Sequence, residues 1–210
     1  RAGVKPGMLD DVIFGDCIQT SDEANTARTA ALEAGIPVEV PATTIQRQCA
    51  SGMQSVIFAS QQIIAGDSDM VLAGGVESMS NAPYVLKKAR WGARLQHHEM
   101  TDVMWELLHS GSHLLGEPFI MGKTAENLAE KYSINREDQD QVAYESHSKA
   151  LAAIDGGRFK DEIVPVEIKS RKGSTFFDTD EHPRRDVSLE SLQGLKPVSK
   201  KDGTVTAGNS

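Results

Sequence analysis

Hydrophobic and polar positions change period several times along this 210-residue chain. Asp11-Val-Ile-Phe-Gly15 is a short apolar run between acidic residues and a glycine, the pattern of a buried strand. Ser21 or Asp22 can cap a helix through Asn25–Ala34, which Gly35 ends and Pro37 keeps from continuing. Thr43-Thr-Ile-Gln-Arg-Gln48 predicts a second strand, with β-branched residues near its start. From Ala50 the period changes: Met53, Val56, Ile57, Ile63 and Ile64 fall near one stripe of a helix that Gly66 closes. Asp69-Met-Val-Leu-Ala-Gly-Gly75 reads as a third strand. Strand, helix, strand, helix, strand in roughly 65 residues implies βαβ units and a mostly parallel sheet covered on both faces.

After Ser80 the texture changes. Residues 81–120 hold both tryptophans, four of the six histidines and scattered glycines without clear alternation, which predicts an excursion from the sheet. One helix is expected over Thr124–Tyr132. A second is capped by Asn135, carries Glu137 and Asp138 in its first turn, and stops at Asp155-Gly-Gly157. Glu162-Ile-Val-Pro-Val-Glu-Ile168 reads as a strand, at an edge because of Pro165. The chain closes on Gly203-Thr-Val-Thr-Ala-Gly-Asn-Ser210, strand-like and then glycine-containing, and no internal repeat is visible.

Composition narrows the function. Hydrophobic residues make up 39% and charged residues 25%, the balance of an ordinary globular protein. No apolar stretch approaches the roughly 20 residues that span a bilayer. The net charge of −8 argues against nucleic-acid or membrane-surface partners, which favour basic chains. The charge is uneven: residues 158–210 carry ten Lys/Arg and nine Asp/Glu, a balance of +1, leaving −9 on residues 1–157. Lys169-Ser-Arg-Lys172 and Arg184-Arg185 lie in that neutral stretch, where solvated loop charge competes with an anionic small ligand such as a nucleotide phosphate. Two cysteines, Cys17 and Cys49, do not make a disulfide scaffold, so a reducing compartment is expected. The N-terminus lacks both a signal-peptide pattern and an initiator methionine, so the chain is expected to start inside a longer protein.

Cys49 falls where a strand gives way to a helix. The first N–H groups of a helix have no internal partners, and the aligned peptide dipoles leave partial positive charge there. A thiolate at that spot is stabilised, and the same amides can hold an oxyanion as an acyl group forms on sulfur. Losing one such donor costs about 3 kcal/mol, or roughly 100-fold in rate. Ser51 and Gly52 keep the first turn small enough for a substrate to reach the sulfur. A buried structural cysteine is the competing reading.

Other motifs are weaker. Gln48-Cys-Ala-Ser-Gly52 only loosely resembles the cysteine segments of caspases and papain, and a cysteine hydrolase would need a positioned histidine that the local pattern does not identify. His109 and His113 have the four-residue spacing of helical zinc ligands, but Gly111 lies between them and no further cluster completes a site, so no metal is expected. Gly74-Gly75 lacks the Lys-Ser/Thr of a phosphate loop and is expected to permit close backbone approach beside the cysteine helix.

Cys49-Ala-Ser-Gly-Met-Gln54 followed by Ala73-Gly-Gly-Val-Glu-Ser-Met-Ser80 resembles the acyl-enzyme region of the thiolases. The resemblance continues, in family order, through Met121-Gly-Lys-Thr-Ala-Glu-Asn127, Arg136-Glu-Asp-Gln-Asp140, Phe159-Lys-Asp-Glu-Ile-Val-Pro165 and Gly203-Thr-Val-Thr-Ala-Gly-Asn209. It implies an α/β fold with a thiolase-like layered αβαβα core, of which this chain would carry one incomplete half, plus an inserted α+β loop domain. Residues 1–80 would be the N-terminal core half with its first strand and helix missing, residues 81–205 the loop domain, and residues 206–210 the return to the core.

The resemblance also implies roles. Cys49 would be the catalytic nucleophile, its own N–H contributing to an oxyanion hole. Met121 would border the pantetheine and acyl path, Arg184 would stand beside the coenzyme A nucleotide, and Ala207 near the pantetheine arm. Coenzyme A and acyl-CoA would be substrates, with no permanently bound cofactor. Residues 86–105 would be the loop through which many thiolases form tetramers, so a homodimer or homotetramer is expected. The implied location is cytoplasmic if the chain is bacterial, with mitochondrial or peroxisomal placement left open. Gln46 stands where the family commonly has Asn, and Ile120 where short-chain members often have His. The implied second cysteine and catalytic histidine belong to a C-terminal half, so the isolated chain is expected to turn over little. Cys17 does not match that second cysteine and is expected in the core of a strand. A non-catalytic coenzyme A-binding or scaffolding relative and a decarboxylating condensing enzyme are the other readings.

Overall fold

A computed structural model of the chain describes residues 2–20, 22–109, 112–116 and 120–210. It forms two compact units, residues 1–110 and 111–210.

The first unit is built on β1 (Asp11–Gly15), α1 (Thr26–Glu33), β2 (Ala42–Ile45), α2 (Ser51–Ala65) and β3 (Val71–Gly75). The strands form one parallel sheet in the order β2-β1-β3, as the alternation of strands and helices predicts. Successive residues of β1 point to opposite faces. Val12 and Phe14 pack with Ala27, Ala31, Ile36 and Val40 on the α1 side. Asp11 and Gly15 look toward α2: Asp11 accepts a hydrogen bond from Gln62 Nε2 at 2.9 Å, and a Cβ on Gly15 would lie 2.3 Å from the Ser51 carbonyl carbon. The two helices therefore cover opposite faces, which right-handed crossovers to either side of β1 require.

Several boundaries differ from expectation for local reasons. Asn25 caps α1, not Asp22, because its carbonyl oxygen reaches the Arg28 N–H at 3.1 Å and also accepts from the Thr44 hydroxyl at 2.7 Å; Ser21, the other expected cap, lies outside the described residues. β2 ends at Ile45 instead of Gln48, since Gln48 adopts φ 50°, which no strand tolerates. Helix α2 ends at Gly66 in the left-handed conformation, as its sequence predicts. Its buried face, however, is not the apolar stripe. Ser51, Gln54, Ser55 and Ala59 are buried, while Met53 is 67% and Ile64 85% exposed. Small residues win that face because the sheet comes too close for large ones, and the Ser55 hydroxyl donates to the Gly74 carbonyl at 2.7 Å.

The expected excursion after Ser80 contains a short antiparallel pair, β4 (Tyr84–Val85) and β5 (Thr101–Asp102), then α3 (Val103–Leu108) capped by Asp102.

The second unit comprises α4 (Ser112–Leu115), α5 (Met121–Tyr132), α6 (Arg136–Asp155), a hairpin of β6 (Val166–Ser170) and β7 (Gly173–Phe177), and α7 (Leu189–Gln193). Helix α5 starts three residues before its predicted first turn. Helix α6 is capped by Asn135 as predicted, its side chain accepting the Asp138 N–H at 2.7 Å. The strand expected from Glu162 begins only at Val166, just past Pro165, and its hairpin partner β7 was not foreseen.

Two buried carboxylates knot this unit together. Glu126 on α5, 4% exposed, accepts the N–H groups of Thr204 and Val205 at 2.8–3.0 Å. Asp140 on α6, fully buried, accepts from Arg136 Nε at 2.7 Å and from Asn209 Nδ2 at 2.9 Å. Arg136 reaches on to the carbonyls of Leu192 and Leu195. Burial alone would raise the Glu126 carboxyl, but the backbone N–H donors outweigh it and hold it below the ordinary glutamate range. Among the described residues no helix is long and apolar enough to cross a membrane.

Two outcomes follow for stability of the protein under chemical denaturation. Gly15→Ala should destabilise by about 1–3 kcal/mol, because the added methyl has no room, whereas Gly52→Ala, with open space around its Cβ, should not. Glu126→Gln should cost about 1–3 kcal/mol at neutral pH. A depressed carboxyl contributes stability that is in place above pH 4.5, the ordinary glutamate value, and lost as pH falls through its folded value. The gap between parent and variant should therefore narrow below pH 4.5; a pH-independent gap would refute the assignment.

Candidate active site

In open α/β sheets, sites form beyond the carboxyl ends of the strands, where the strand order reverses direction. Here that position is the end of β1, with β2 on one side and β3 on the other. The segments leaving all three strands meet around an open cavity of about 370 Å³, lined by Asp16, Cys17, Gln48, Cys49, Ser51, Gly52, Gly75, Val76 and Glu77 together with Gly15.

Cys49 is exposed on this cavity, directly before Ala50, the N-cap of the 15-residue α2. Alanine offers no capping side chain, so nothing from the cap competes for the first-turn N–H groups. Cys49 thus lies beside the positive end of the helix and in reach of solvent. The turn that delivers it is tightly held. Ala50 N–H donates to the Arg47 carbonyl at 3.2 Å and Ser51 N–H to the Gln48 carbonyl at 3.0 Å. The Ser51 hydroxyl donates to the Gln48 carbonyl at 2.6 Å and accepts the Arg47 N–H at 2.7 Å. Gln46, with its additional methylene, still turns back to accept the Gln48 N–H, at 3.4 Å. The Arg47 guanidinium is bonded to Gln54.

Two glycines let these segments converge. A Cβ on Gly15 would strike Ser51 and Gly52, and one on Gly75 would lie 2.8 Å from the Gly15 oxygen. The expectation that the Gly74-Gly75 pair permits close approach therefore holds at Gly75, against β1. The residue that brings the sheet to the cysteine helix is Gly15.

Cys17 departs from its expected place. It lies beyond the end of β1, half-buried at the cavity wall, and donates its thiol to the Gln48 carbonyl at 2.9 Å. Glu77, which follows β3, accepts the N–H groups of Cys17 and Ile18 at 3.0 Å each. Burial pushes the Cys17 thiol up, the neighbouring Glu77 adds to this, and the Ser51 hydroxyl partly offsets it. Burial also acts to raise Glu77, but the two backbone donors prevail and its carboxyl lies below the usual range. Sequence reading missed Cys17, Glu77 and Gly15 as site residues. The signal was present, since each stands at or just past the end of a strand.

The other expected site residues belong to the second unit. Arg184 and Ala207 line one cavity of about 820 Å³ between α6 and the segments around α7, with His147, His182, Ser191 and Asn209 among its other walls. Arg184 N–H donates to His147 Nδ1 at 3.1 Å, and its guanidinium makes a two-pronged pair with Asp186 at 3.1 and 2.8 Å. Arg185 pairs with Asp155. Met121 is exposed at the first position of α5 and does not line that cavity. Lys169 and Lys172 are exposed on the hairpin. Among the described residues no group of three or more His, Cys, Asp or Glu is arranged to hold a metal ion.

Comparison with known proteins identifies the family. All 210 residues match the family described as "Thiolase, N-terminal domain". The chain is 47% identical to an acetyl-CoA acetyltransferase of Pseudomonas aeruginosa over 100% of its own length and 53% of the relative's. The crystal structure of a Bacillus anthracis acetyl-CoA acetyltransferase superposes with a TM-score of 0.93 at 56% identity, covering 100% of this chain and 52% of that one. A human mitochondrial 3-ketoacyl-CoA thiolase in complex with CoA superposes at 0.89 and 43% identity, over 98% of this chain and 50% of that one. The chain spans about half the length of the curated relatives it matches. With the thiolase fold and a match along its whole length, the chain belongs to the thiolase family.

Proposed function

We propose that the whole protein transfers acyl groups between coenzyme A thioesters, with Cys49 as the covalent nucleophile. The observation that carries this reading is the exposed Cys49 just before the head of α2, lining a cavity at the carboxyl ends of three parallel strands. The Cys49 thiolate attacks the carbonyl carbon of an acyl-CoA. The carbon–sulfur bond to coenzyme A breaks, the acyl group stays on Cys49 as a thioester, and the coenzyme A thiolate leaves and takes up a proton. Because one thioester replaces another of similar energy, the step runs in either direction. The acyl carbon then bonds to the sulfur of a second coenzyme A or to the α-carbon of a second acetyl-CoA as its bond to Cys49 breaks, and the proton lost by that thiol or α-carbon returns to the Cys49 sulfur.

Arg184 is the proposed partner of the coenzyme A nucleotide, and Ala207 borders the pantetheine arm in the same cavity. To engage a phosphate, Arg184 would exchange Asp186 for it, a carboxylate-for-phosphate swap that suits a planar guanidinium. Met121, exposed at the start of α5, is proposed to border the acyl path. Residues 81–205 are proposed as the loop domain, and residues 86–105, including the exposed Trp91 and Leu95, as a contact between copies in a homodimer or homotetramer. The exposed apolar side of α2 is proposed to pack against the remainder of the protein, which also supplies the second cysteine and the histidine. A scaffold that merely bound coenzyme A would not need its cysteine held at the mouth of a cavity.

Incubation of the whole protein with acetyl-CoA should place an acetyl label on the peptide bearing Cys49, read by mass spectrometry. Cys49→Ser should abolish that label and lower kcat by on the order of a thousandfold or more. Acetylation confined to other residues would sink the proposal. Arg184→Ala should raise KM for the coenzyme A substrate about tenfold, the worth of one charge-assisted hydrogen bond, while leaving the label on Cys49.

A further inference from the structure

We propose that Cys17 and Ser51 are positioning residues that aim the Cys49 backbone N–H into the cavity, acting together through the carbonyl oxygen of Gln48. This deepens the reading of Cys49 as nucleophile and rests on it. Gln48 immediately precedes Cys49 and has φ 50°, a conformation that a residue with a side chain keeps only where its surroundings impose it. The surroundings here are three donors on one oxygen. Ser51 N–H reaches the Gln48 carbonyl at 3.0 Å, Ser51 Oγ–H at 2.6 Å, and Cys17 Sγ–H at 2.9 Å. The Ser51 hydroxyl also accepts the Arg47 N–H at 2.7 Å, so it grips the peptide units on both sides of Gln48.

The consequence comes from peptide planarity. In a trans peptide the C=O of one residue and the N–H of the next point in opposite directions, and no peptide bond among the described residues is cis. Drawing the Gln48 oxygen onto Cys17 and Ser51, at one wall of the cavity, therefore turns the Cys49 N–H away from that wall and toward the open cavity. That N–H is the donor an acyl transfer onto Cys49 sulfur would use for its oxyanion. The three donors come from two places in the fold, the loop after β1 and the head of α2, so the orientation is imposed by tertiary structure. Glu77 steadies the first of these by holding the N–H groups of Cys17 and Ile18. Burial, reinforced by nearby Glu77, keeps the Cys17 thiol protonated at neutral pH and so able to donate.

The test is single-turnover acetylation of Cys49 by acetyl-CoA in the whole protein, comparing the parent with Cys17→Ala, Cys17→Ser and Ser51→Ala. Oxyanion contacts act in the transition state, so the loss should fall on the rate at saturation. The expected losses are about tenfold for Cys17→Ala and about 30- to 100-fold for Ser51→Ala, with the half-saturating concentration moving less than about twofold. Cys17→Ser supplies an O–H donor and should recover the rate to within about threefold of the parent. Denaturant unfolding of each variant separates these losses from instability, and if Ser51→Ala does not fold the two Cys17 variants decide. Parental rates in Cys17→Ala, a loss confined to half-saturation, or a serine variant no faster than the alanine one would each overturn the proposal. A parent that is never acetylated at Cys49 would instead bring down the nucleophile reading, and this one with it.

Discussion

At the carboxyl end of β1 the sheet and α2 approach so closely that a single methyl group on Gly15 would fall 2.3 Å from the Ser51 carbonyl carbon. Everything at the site depends on that proximity. It sets Ser51 beneath the turn that carries Cys49, and it places the loop after β1 within reach of the same turn. Gly75 brings β3 against β1 just as closely, since a side chain there would meet the Gly15 oxygen at 2.8 Å. The convergence explains why the buried positions of α2 include the small Ser51, Ser55 and Ala59, while the buried Gln54 turns to Arg47. Larger side chains would hold the helix off and leave the cysteine turn unsupported.

That arrangement joins the position of the proposed nucleophile to a rigid one. The helix start carries partial positive charge, which the proposed nucleophilic sulfur and a developing oxyanion would both need. Such a turn gains nothing if it wanders. Hydrogen bonds from Ser51 and Cys17, with Glu77 behind Cys17, tie together the ends of β1, β2 and β3, so Cys49, the proposed nucleophile, follows a turn held by three strands at once. Preorganised donors of this kind accelerate a reaction because they need not move when charge develops.

The second unit uses the same device for a different purpose. Glu126 and Asp140 are buried carboxylates, which would be costly if unpaired. Each is saturated by donors from the segment between residues 203 and 209 or from Arg136. They pull the end of the chain against α5 and α6, which puts Ala207 on the wall of the cavity that Arg184 also lines. Three of the sequence blocks that mark the family, Met121–Asn127, Arg136–Asp140 and Gly203–Asn209, are thus the partners of one buried polar network.

The sequence alone determined what depends on neighbours along the chain. Hydrophobic alternation and punctuation by Gly66, Pro37 and Asn135 foretold the three parallel strands, both crossover helices and the long helix α6, because caps and periodicity act within a few residues. The position of Cys49 at a strand-to-helix junction was legible for the same reason. Tertiary structure decided what depends on closeness between distant segments. It turned the small face of α2 inward and its apolar stripe outward, because the close approach at Gly15 leaves no space there for large side chains. It moved Cys17 out of the strand to the cavity wall, where it meets a carbonyl 31 positions away, and brought Glu77 to it across 60. No pattern along the chain encodes such meetings, since they arise only once the sheet has set which strand ends lie side by side.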